Sequence, residues 1–457
     1  LYARPEETIP ALAGLHFTLI VSAVASVSVI FQKIMDREGP VLFPVNGLLL
    51  ALGAIVVAST MAHGDTLAAL QDVSRLVALV LMTCNLVRTP ARYRALSNAI
   101  VFFTVYLSLF SIVHYYLGIA FNRGGIMQAE ATGIFNDPND LSATIVGGLG
   151  LTLCSAAAAS GPRRWFYALA AASMVWAIYL TNSRGGMLAL IVTVGAFLLI
   201  TSRSRWIALA LLLVIGAGAI KYGPSRFHQM DAKEESASSR FRFWHTGTLL
   251  FLANPVTGAG YGQFPLLNDG YTAHNSFVLC YAELGLPGYF CWIGCLYYAF
   301  RGLRRRKVVE APAESRAMPA TDGPRAPPPA SQASRAGAAP DAGAATHGAA
   351  GRATRPRRTP VAGPPKTDMA TQERFDRIGS RLALAAFLVG AFWISRTYVP
   401  VLYLLISLPL AQQIAYLGPS RDFSLTPRER WTDAWTILAI CVASITFIAL
   451  LAFALRR

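Results

Sequence analysis

Charged residues are scarce in this sequence. They make up 14% of the 457 residues, whereas a soluble globular protein carries roughly a quarter. Hydrophobic residues make up 54%, and the mean hydropathy is +0.45. The apolar residues fall in blocks of about twenty, the length that a helix needs to cross a bilayer. Alternating strand-length patterns are lacking, which disfavours a β-barrel. The sequence therefore predicts an all-α fold, a polytopic membrane helical bundle.

The apolar blocks predict about 12 transmembrane helices. They lie near 11–30, 41–62, 67–87, 97–120, 140–158, 163–181, 186–201, 205–221, 276–300, 379–396, 398–415 and 434–455. The predicted segments are transmembrane helices 1–8 in 1–221, a partly helical external loop in 222–275, transmembrane helix 9 in 276–300, a disordered basic Ala/Pro-rich cytoplasmic linker in 301–378, and C-terminal transmembrane helices in 379–457.

Metal-binding patterns are also lacking. The six cysteines fall in or beside apolar blocks, and the closest pair, Cys291 and Cys295, has no His or Asp partner. No Asp-x-Asp pair, which could hold the metal of a nucleotide sugar, occurs in the sequence. We therefore expect no metal and no cofactor, and we interpret the cysteines as small core residues.

Positive charge is abundant but unevenly spread. Half of the net charge of +16 falls in 301–378, and basic loops of this kind stay in the cytoplasm. Nucleic-acid binding is disfavoured, because no aromatic residues interleave with these arginines. Placing the basic loops inside puts 121–139, 181–185 and 222–275 on the outer face. The first residue, Leu1, also falls outside, which suggests that further spans precede it.

The stretch TNSRGGM at 181–187 carries an arginine on this outer face. Arg184 could simply extend from a helix end toward lipid headgroups. However, the positive-inside tendency disfavours an arginine there, so a functional reason is needed. The two glycines after it would let a ligand approach the backbone.

A second stretch, SSRFRFWHTGTLLFLANPVTGAGYGQF at 238–264, predicts a capped helix. Arg240 and Trp244 share one face, and Arg242 lies on another. The alternative is an amphipathic helix resting on the membrane surface, with Trp244 at headgroup depth. The glycine-rich end follows a proline turn and not a strand, so a dinucleotide site is disfavoured.

GIFNDPND at 133–140 is a third polar stretch on the outer face. Asp137 followed by Pro138 predicts a helix start, with the acid as N-cap and the proline at the first helical position. A metal site built from Asp137, Asn139 and Asp140 is the alternative, although the spacing matches no standard loop.

The fourth stretch, AHNSFVLCYAELGLPG at 273–288, opens with His274 and Asn275 at the outer mouth of the ninth span. A histidine suits proton acceptance near neutral pH, while a satisfied helix cap is the plainer interpretation. Glu283 lies about half a turn out of phase with the histidine. We expect it to be buried, with a partner elsewhere.

Taken in chain order, the four stretches resemble the O-antigen ligase and O-antigen polymerase superfamily, over roughly residues 97–300. The resemblance implies a membrane-integral, inverting glycosyltransferase at the periplasmic face of the bacterial inner membrane. Its donor would be a glycan on undecaprenyl pyrophosphate, used without a metal or nucleotide. The acceptor would be a hydroxyl of a glycan or of lipid A-core, and membrane lipids would be further partners.

The resemblance also implies residue roles. Arg184 and Arg240 match the arginines that hold the pyrophosphate, and His274 matches the histidine that activates or orients the acceptor hydroxyl. These three are the predicted catalytic residues. The predicted substrate-binding residues are Arg242, Trp244, Asn275, Asn139 and Asp137.

Several functions stay open. A polymerase would join surface polysaccharide repeat units, a ligase would attach the chain to lipid A-core, and the sequence leans slightly toward the polymerase. A protein O-oligosaccharyltransferase is a further relative. A polysaccharide or anion transporter is an alternative of another class, but it predicts charges at mid-span rather than at the outer ends.

Overall fold

The computed structural model describes residues 17–35, 44–61, 64–119, 121–123, 125–202, 204–222, 235–302, 366–418 and 425–455. The α-helices in these ranges are α1 (Phe17–Met35), α2 (Pro44–Thr60), α3 (Thr66–Leu86), α4 (Pro90–Tyr116), α5 (Pro138–Ala158), α6 (Pro162–Leu180), α7 (Arg184–Thr201), α8 (Arg205–Tyr222), α9 (Glu235–Ala253), α10 (Ser276–Arg301), α11 (Lys366–Ala391), α12 (Pro400–Leu417) and α13 (Pro427–Leu455). A short antiparallel hairpin, β1 (Phe121–Arg123) and β2 (Ile126–Gln128), precedes α5.

The prediction of an all-α membrane bundle is confirmed. Each of the twelve predicted blocks overlaps a helix. Within the described residues, seven helices are long and apolar enough to cross a membrane, namely α3, α4, α5, α7, α10, α12 and α13. Shorter apolar stretches lie in α1, α2 and α8. The count of twelve spans stays a prediction.

Capping residues in the sequence fix where several helices begin. Thr89 and Asp137 each precede a proline, and each side chain accepts a backbone N–H of the first turn. Asp65, Ser183 and Asn275 cap α3, α7 and α10 in the same way. Each cap satisfies a donor that would otherwise lack a partner at the helix start.

Two helices form the centre of the structure. α10 and α12 bury most of their residues and contact each other. α10 also packs against α2, α9 and α13, while α12 packs against α3 and α4. By contrast, most of α13 and α3 is not buried inside the protein, as expected for apolar surfaces that face lipid.

The turns that carry the predicted site meet at one end of these helices. We call it the site end: it comprises 117–119, 121–123, 125–137, 181–183, 254–275 and 392–399. The amide of Ala129 bonds to the carbonyl of Leu180, and further bonds described below join the other turns.

The opposite end is fastened by polar contacts. Arg301, at the end of α10, forms an ion pair with Asp433 near the start of α13. The hydroxyls of Tyr297 and Tyr298 also donate to Asp433. α13 therefore runs antiparallel to α10, and its far end returns to α9, where the Phe453 ring contacts His245.

Two helices lie wholly or partly in segments that were predicted to be a linker and an external loop. α11 begins at Lys366, inside the segment 301–378 that was predicted to be a linker, while 303–365 lie outside the described residues. α9 lies in the predicted external loop 222–275, but it packs against α10 and α13. α9 therefore packs on the helical bundle, and its depth in the membrane stays a prediction.

Candidate functional site

Arg184 begins α7, and the residue before it anchors the turn. The Ser183 hydroxyl accepts the amide of Gly186 at 3.1 Å and donates to the side-chain carbonyl of Asn139 at 2.7 Å. Asn182 has a φ of 51° and donates from its side chain to the Met127 carbonyl at 2.9 Å. The turn is thus held from both sides, and Arg184 is half-buried at its centre.

The turn before α5 is built on Asp137. Its carboxylate accepts the amides of Asn139 at 2.8 Å and Asp140 at 3.4 Å. The Asp137 and Asn139 side chains therefore hold the starts of α5 and α7 together. The same contacts bring these two predicted binding residues beside Arg184 in the fold.

The two glycines after Arg184 are filled by packing. A Cβ on Gly186 would lie 2.4 Å from the Ser142 hydroxyl oxygen, and one on Gly185 would lie 3.1 Å from the Trp393 Cβ. Close contact with α5 and with loop 392–399, and not space for a ligand, explains both glycines.

The motif on α9 splits into exposed and buried residues. Arg242 is exposed and Arg240 is half-buried, while Trp244 is fully buried. The Trp244 ring lies 5.3 Å from Phe392 and 5.8 Å from Trp393, measured between ring centroids. Trp244 therefore packs inside the protein, and its depth in the membrane stays a prediction. The indole joins α9 to the same loop that packs on Gly185.

Trp244 keeps one polar group without a partner. Its Nε1–H is buried and has no acceptor in the part of the chain that the structure describes. The side-chain nitrogen of Asn275 is also buried and also has no acceptor among the described residues. Each of these donors could bind an oxygen of a ligand, because a buried donor without an acceptor is costly to maintain.

His274 occupies a tight turn directly before the α10 cap. Its φ of 47° is in the left-handed region, which is unusual for a residue with a side chain. The imidazole is half-buried, and its centroid lies 6.1 Å from that of Phe243 on α9, which in turn stacks on Tyr271. Asn275 accepts the amides of Phe277 and Val278 and so fixes the helix start.

Loop 392–399 is the part of the site that the sequence did not predict. The Ser276 hydroxyl donates to the Ile394 carbonyl at 2.7 Å and accepts the amide of Arg396 at 2.8 Å. The Arg396 guanidinium pairs with both carboxylate oxygens of Asp140. Arg396 lies at the junction of two apolar blocks, as Arg184 does. That position in the sequence was the signal that could have found it.

Glu283 is buried and has the partner that the sequence required. Its carboxylate accepts the amide of Phe264 at 3.3 Å, and its carbonyl accepts the amide of Gly260 at 2.9 Å. Gly285, just after it, has a φ of 63° that kinks α10. The glycine-rich stretch therefore packs on the kink, which gives GAGYG a structural role.

The pKa values of Glu130 and Arg396 are both raised, but for different physical reasons. Burial, followed by the charge of Asp137, raises the pKa of Glu130. The hydrogen bond with Asp140 raises the pKa of Arg396, so this arginine stays charged. A cavity beside the pair, lined in part by Phe135, measures only about 20 Å³. That volume suits roughly one water and no sugar.

Metal-ligating groups do not cluster in this structure. Among the residues that it describes, no group of three or more His, Cys, Asp or Glu side chains could hold a metal ion. The alternative of a metal site at Asp137 and its neighbours therefore receives no support, and both Asp137 and Asp140 are already engaged in helix capping and ion pairing.

These contacts assemble the predicted residues around loop 392–399. Its Trp393 touches Gly185 beside Arg184 and Trp244 below Arg240. Its backbone at Ile394 is bonded to Ser276, two residues after His274. Arg242 is exposed on α9.

A known protein family matches part of the chain. No curated protein matches the chain. An O-antigen ligase family model matches residues 169–293, a segment that contains Arg184, the α9 motif and His274. Residues 169–293 are therefore similar to the O-antigen ligase family, which confirms the resemblance to the O-antigen ligase and O-antigen polymerase superfamily.

Proposed function

We propose that this chain is an inverting, metal-independent glycosyltransferase that moves a glycan from undecaprenyl pyrophosphate to an acceptor hydroxyl at the periplasmic face of the inner membrane. The family match supports O-antigen ligase-type glycosyl transfer in general. The donor, the mechanism and the membrane side are our proposal. The observation that carries it is the meeting of the Arg184, α9 and His274 turns at loop 392–399.

Two arginines would bind the donor. Arg184 lies at the first position of α7, where the helix dipole favours an anion. Arg240 lies one turn before Trp244, which seats this part of α9 under loop 392–399. Guanidinium forks match phosphate oxygens, and they would stabilise the charge that develops on the leaving pyrophosphate.

His274 would act on the acceptor. A neutral imidazole accepts a proton near pH 7, so it could take the proton of the attacking hydroxyl. The strained backbone at His274 holds the ring beside Phe243, and residues kept in such conformations cluster at functional sites. One base facing one leaving group gives a single displacement, which inverts the anomeric carbon.

The remaining predicted binding residues receive different roles. Asn275 and Trp244 each carry a buried donor that could bind an oxygen of the substrate. Asp137 and Asn139 are engaged in the starts of α5 and α7, so we propose that they position Arg184. Arg242 is exposed and would meet lipid headgroups or the glycan.

The test uses the purified full chain in lipid nanodiscs with a lipid-linked glycan, with and without lipid A-core. Longer glycans on the carrier mean that the protein is a polymerase, which we favour slightly, and a glycan on lipid A-core means that it is a ligase. Transfer must survive a metal chelator, and the new linkage must have the anomeric configuration opposite to that of the donor. Failure to transfer to glycan, core or a protein acceptor overturns the proposal and would favour transport.

A further inference from the structure

We propose that Arg396 is a positioning residue for glycosyl transfer: through its ion pair with Asp140 it sets the spacing between the turn that carries Arg184 and the turn that carries His274. Neither the four sequence stretches nor the family match at 169–293 includes Arg396. The inference rests on the proposed function, because it concerns the spacing between the donor-binding and acceptor-activating residues.

One side of Arg396 is joined to the Arg184 turn. Its guanidinium makes a bidentate pair with Asp140, whose side chain is 8% exposed. The neighbouring residue, Asn139, accepts the Ser183 hydroxyl at 2.7 Å, and Ser183 is the cap directly before Arg184. Bidentate pairs fix direction as well as distance.

The other side of Arg396 is joined to the His274 turn. Its amide donates to the Ser276 hydroxyl at 2.8 Å, and the Thr397 hydroxyl donates to the Ser276 carbonyl at 2.7 Å. Ser276 is the first residue of α10, directly after Asn275. The backbone of Arg396 is therefore fixed to the acceptor turn while its side chain is fixed to the donor turn.

This connection has no substitute among the contacts described above. Trp393 joins Gly185 to Trp244 by ring packing, which tolerates sliding. The Asp140–Arg396 pair, together with the bonds of Arg396 and Thr397 to Ser276, crosses from α5 to the start of α10 by directional bonds. A misplacement of about 1 Å between reacting groups can cost roughly 100-fold in rate, so loss of the pair is expected to slow the transfer step.

An alternative role for Arg396 is direct contact with the donor. Its side chain is 36% exposed, so a phosphate could reach it. The two roles differ when Asp140 is already changed. A positioning arginine has nothing further to lose, whereas a phosphate ligand would still bind. A double-mutant cycle separates them.

The experiment compares Arg396→Gln, Asp140→Asn and the double variant, each as the full chain. kcat is measured per folded molecule, together with the donor KM and the melting temperature. Arg301→Gln is the matched control, because it breaks the Arg301–Asp433 pair at the opposite end of α10. We expect each site-end variant to lower kcat about 10- to 100-fold, the double variant to lose no more than either single one, and the control to keep its kcat.

If the double variant lost more kcat than Asp140→Asn and also had a raised donor KM, Arg396 would bind the donor directly. That result would overturn the positioning role. A fall in kcat that is equalled by Arg301→Gln would mean that the pair only stabilises the fold. A readout without catalysis is the distance between spin labels at the exposed positions Thr132 and Leu266. We expect it to broaden in Arg396→Gln alone. An unchanged distribution overturns the inference even if the proposed donor is wrong, while an inactive wild type refutes only the proposed function.

Discussion

The Ser183 hydroxyl donates a 2.7 Å hydrogen bond to the side-chain carbonyl of Asn139, and this bond joins the first turns of α7 and α5 beside Arg184. The same hydroxyl accepts the Gly186 amide as a helix cap. One oxygen therefore serves both the stability of α7 and the placement of the arginine.

Substitutions at these two positions separate the functions. Ser183→Ala removes the cap and the link, so the free energy of unfolding should fall by about 1 kcal/mol or more, and glycan transfer should also fall. Asn139→Ala removes only the link and should reduce transfer with a smaller loss of stability. Ser183→Thr keeps the hydroxyl and is the control. Equal transfer in Asn139→Ala and wild type, measured by kcat and thermal melting, would contradict a positioning role for this bond.

The role of His274 can be tested with variants that tolerate its left-handed backbone. Because φ at His274 is 47°, an alanine there loses the ring but keeps the strain of about 1 kcal/mol that a Cβ causes in this conformation. Asn and Gly tolerate this conformation. We expect His274→Ala, His274→Asn and His274→Gly all to abolish transfer, with melting temperatures near that of wild type for the last two. Normal product from His274→Asn in a complementation assay would remove the histidine from the mechanism.

Arginine geometry at the start of α7 gives a third prediction. Arg184→Lys keeps the charge but loses the fork that fits two phosphate oxygens. We expect donor use, measured as kcat/KM with the lipid-linked glycan, to be restored only in part relative to Arg184→Ala. Arg242→Lys at the exposed position on α9 is the comparison and should change donor use little. Full activity in Arg184→Lys would show that charge alone suffices there.

The half-buried acid Glu130 predicts a pH dependence of stability. Burial and the Asp137 charge raise the pKa of Glu130, so the folded protein binds this proton more tightly than the unfolded chain does. Its stability therefore falls as the pH rises from the unfolded toward the folded pKa. Glu130→Gln should melt at a higher temperature than wild type at pH 7, and the difference should shrink as the pH is lowered through the folded pKa. A difference that is constant with pH would contradict this.

Much of this architecture was predictable from local sequence. The apolar blocks predicted every described helix except α9, because backbone groups in lipid must be satisfied within the helix. Asp137 and Pro138 predicted the start of α5 for an equally local reason, and the structure has that cap.

The remaining contacts depend on residues far apart in the chain. Arg396 bonds to Asp140 across 256 positions and to Ser276 across 120, and no periodic pattern records such a pair. Glu283 finds a backbone amide, a partner that has no side-chain signal. The pattern around Trp244 is the same for a helix on a membrane surface and for one packed against other helices, so its burial needed the three-dimensional structure.

The glycine-rich stretch before His274 supplies the last prediction. Gly258 and Gly262 both have positive φ, 67° and 74°, so alanine is strained at either position, at a cost of about 1–2 kcal/mol. Only at Gly258 would the new Cβ collide, 2.3 Å from the carbonyl of Glu283, whereas nothing lies within 4 Å at Gly262. The two substitutions thus share the strain and differ in the collision.

Gly258→Ala should therefore lower the melting temperature and the yield of folded protein more than Gly262→Ala does. It should also reduce transfer per folded molecule, because the stretch that packs on the α10 kink leads directly to His274. If both variants melted together, the close backbone contact with Glu283 would not contribute to stability. If Gly258→Ala melted early but kept full kcat per folded molecule, the kink would stabilise the fold without setting the position of the histidine.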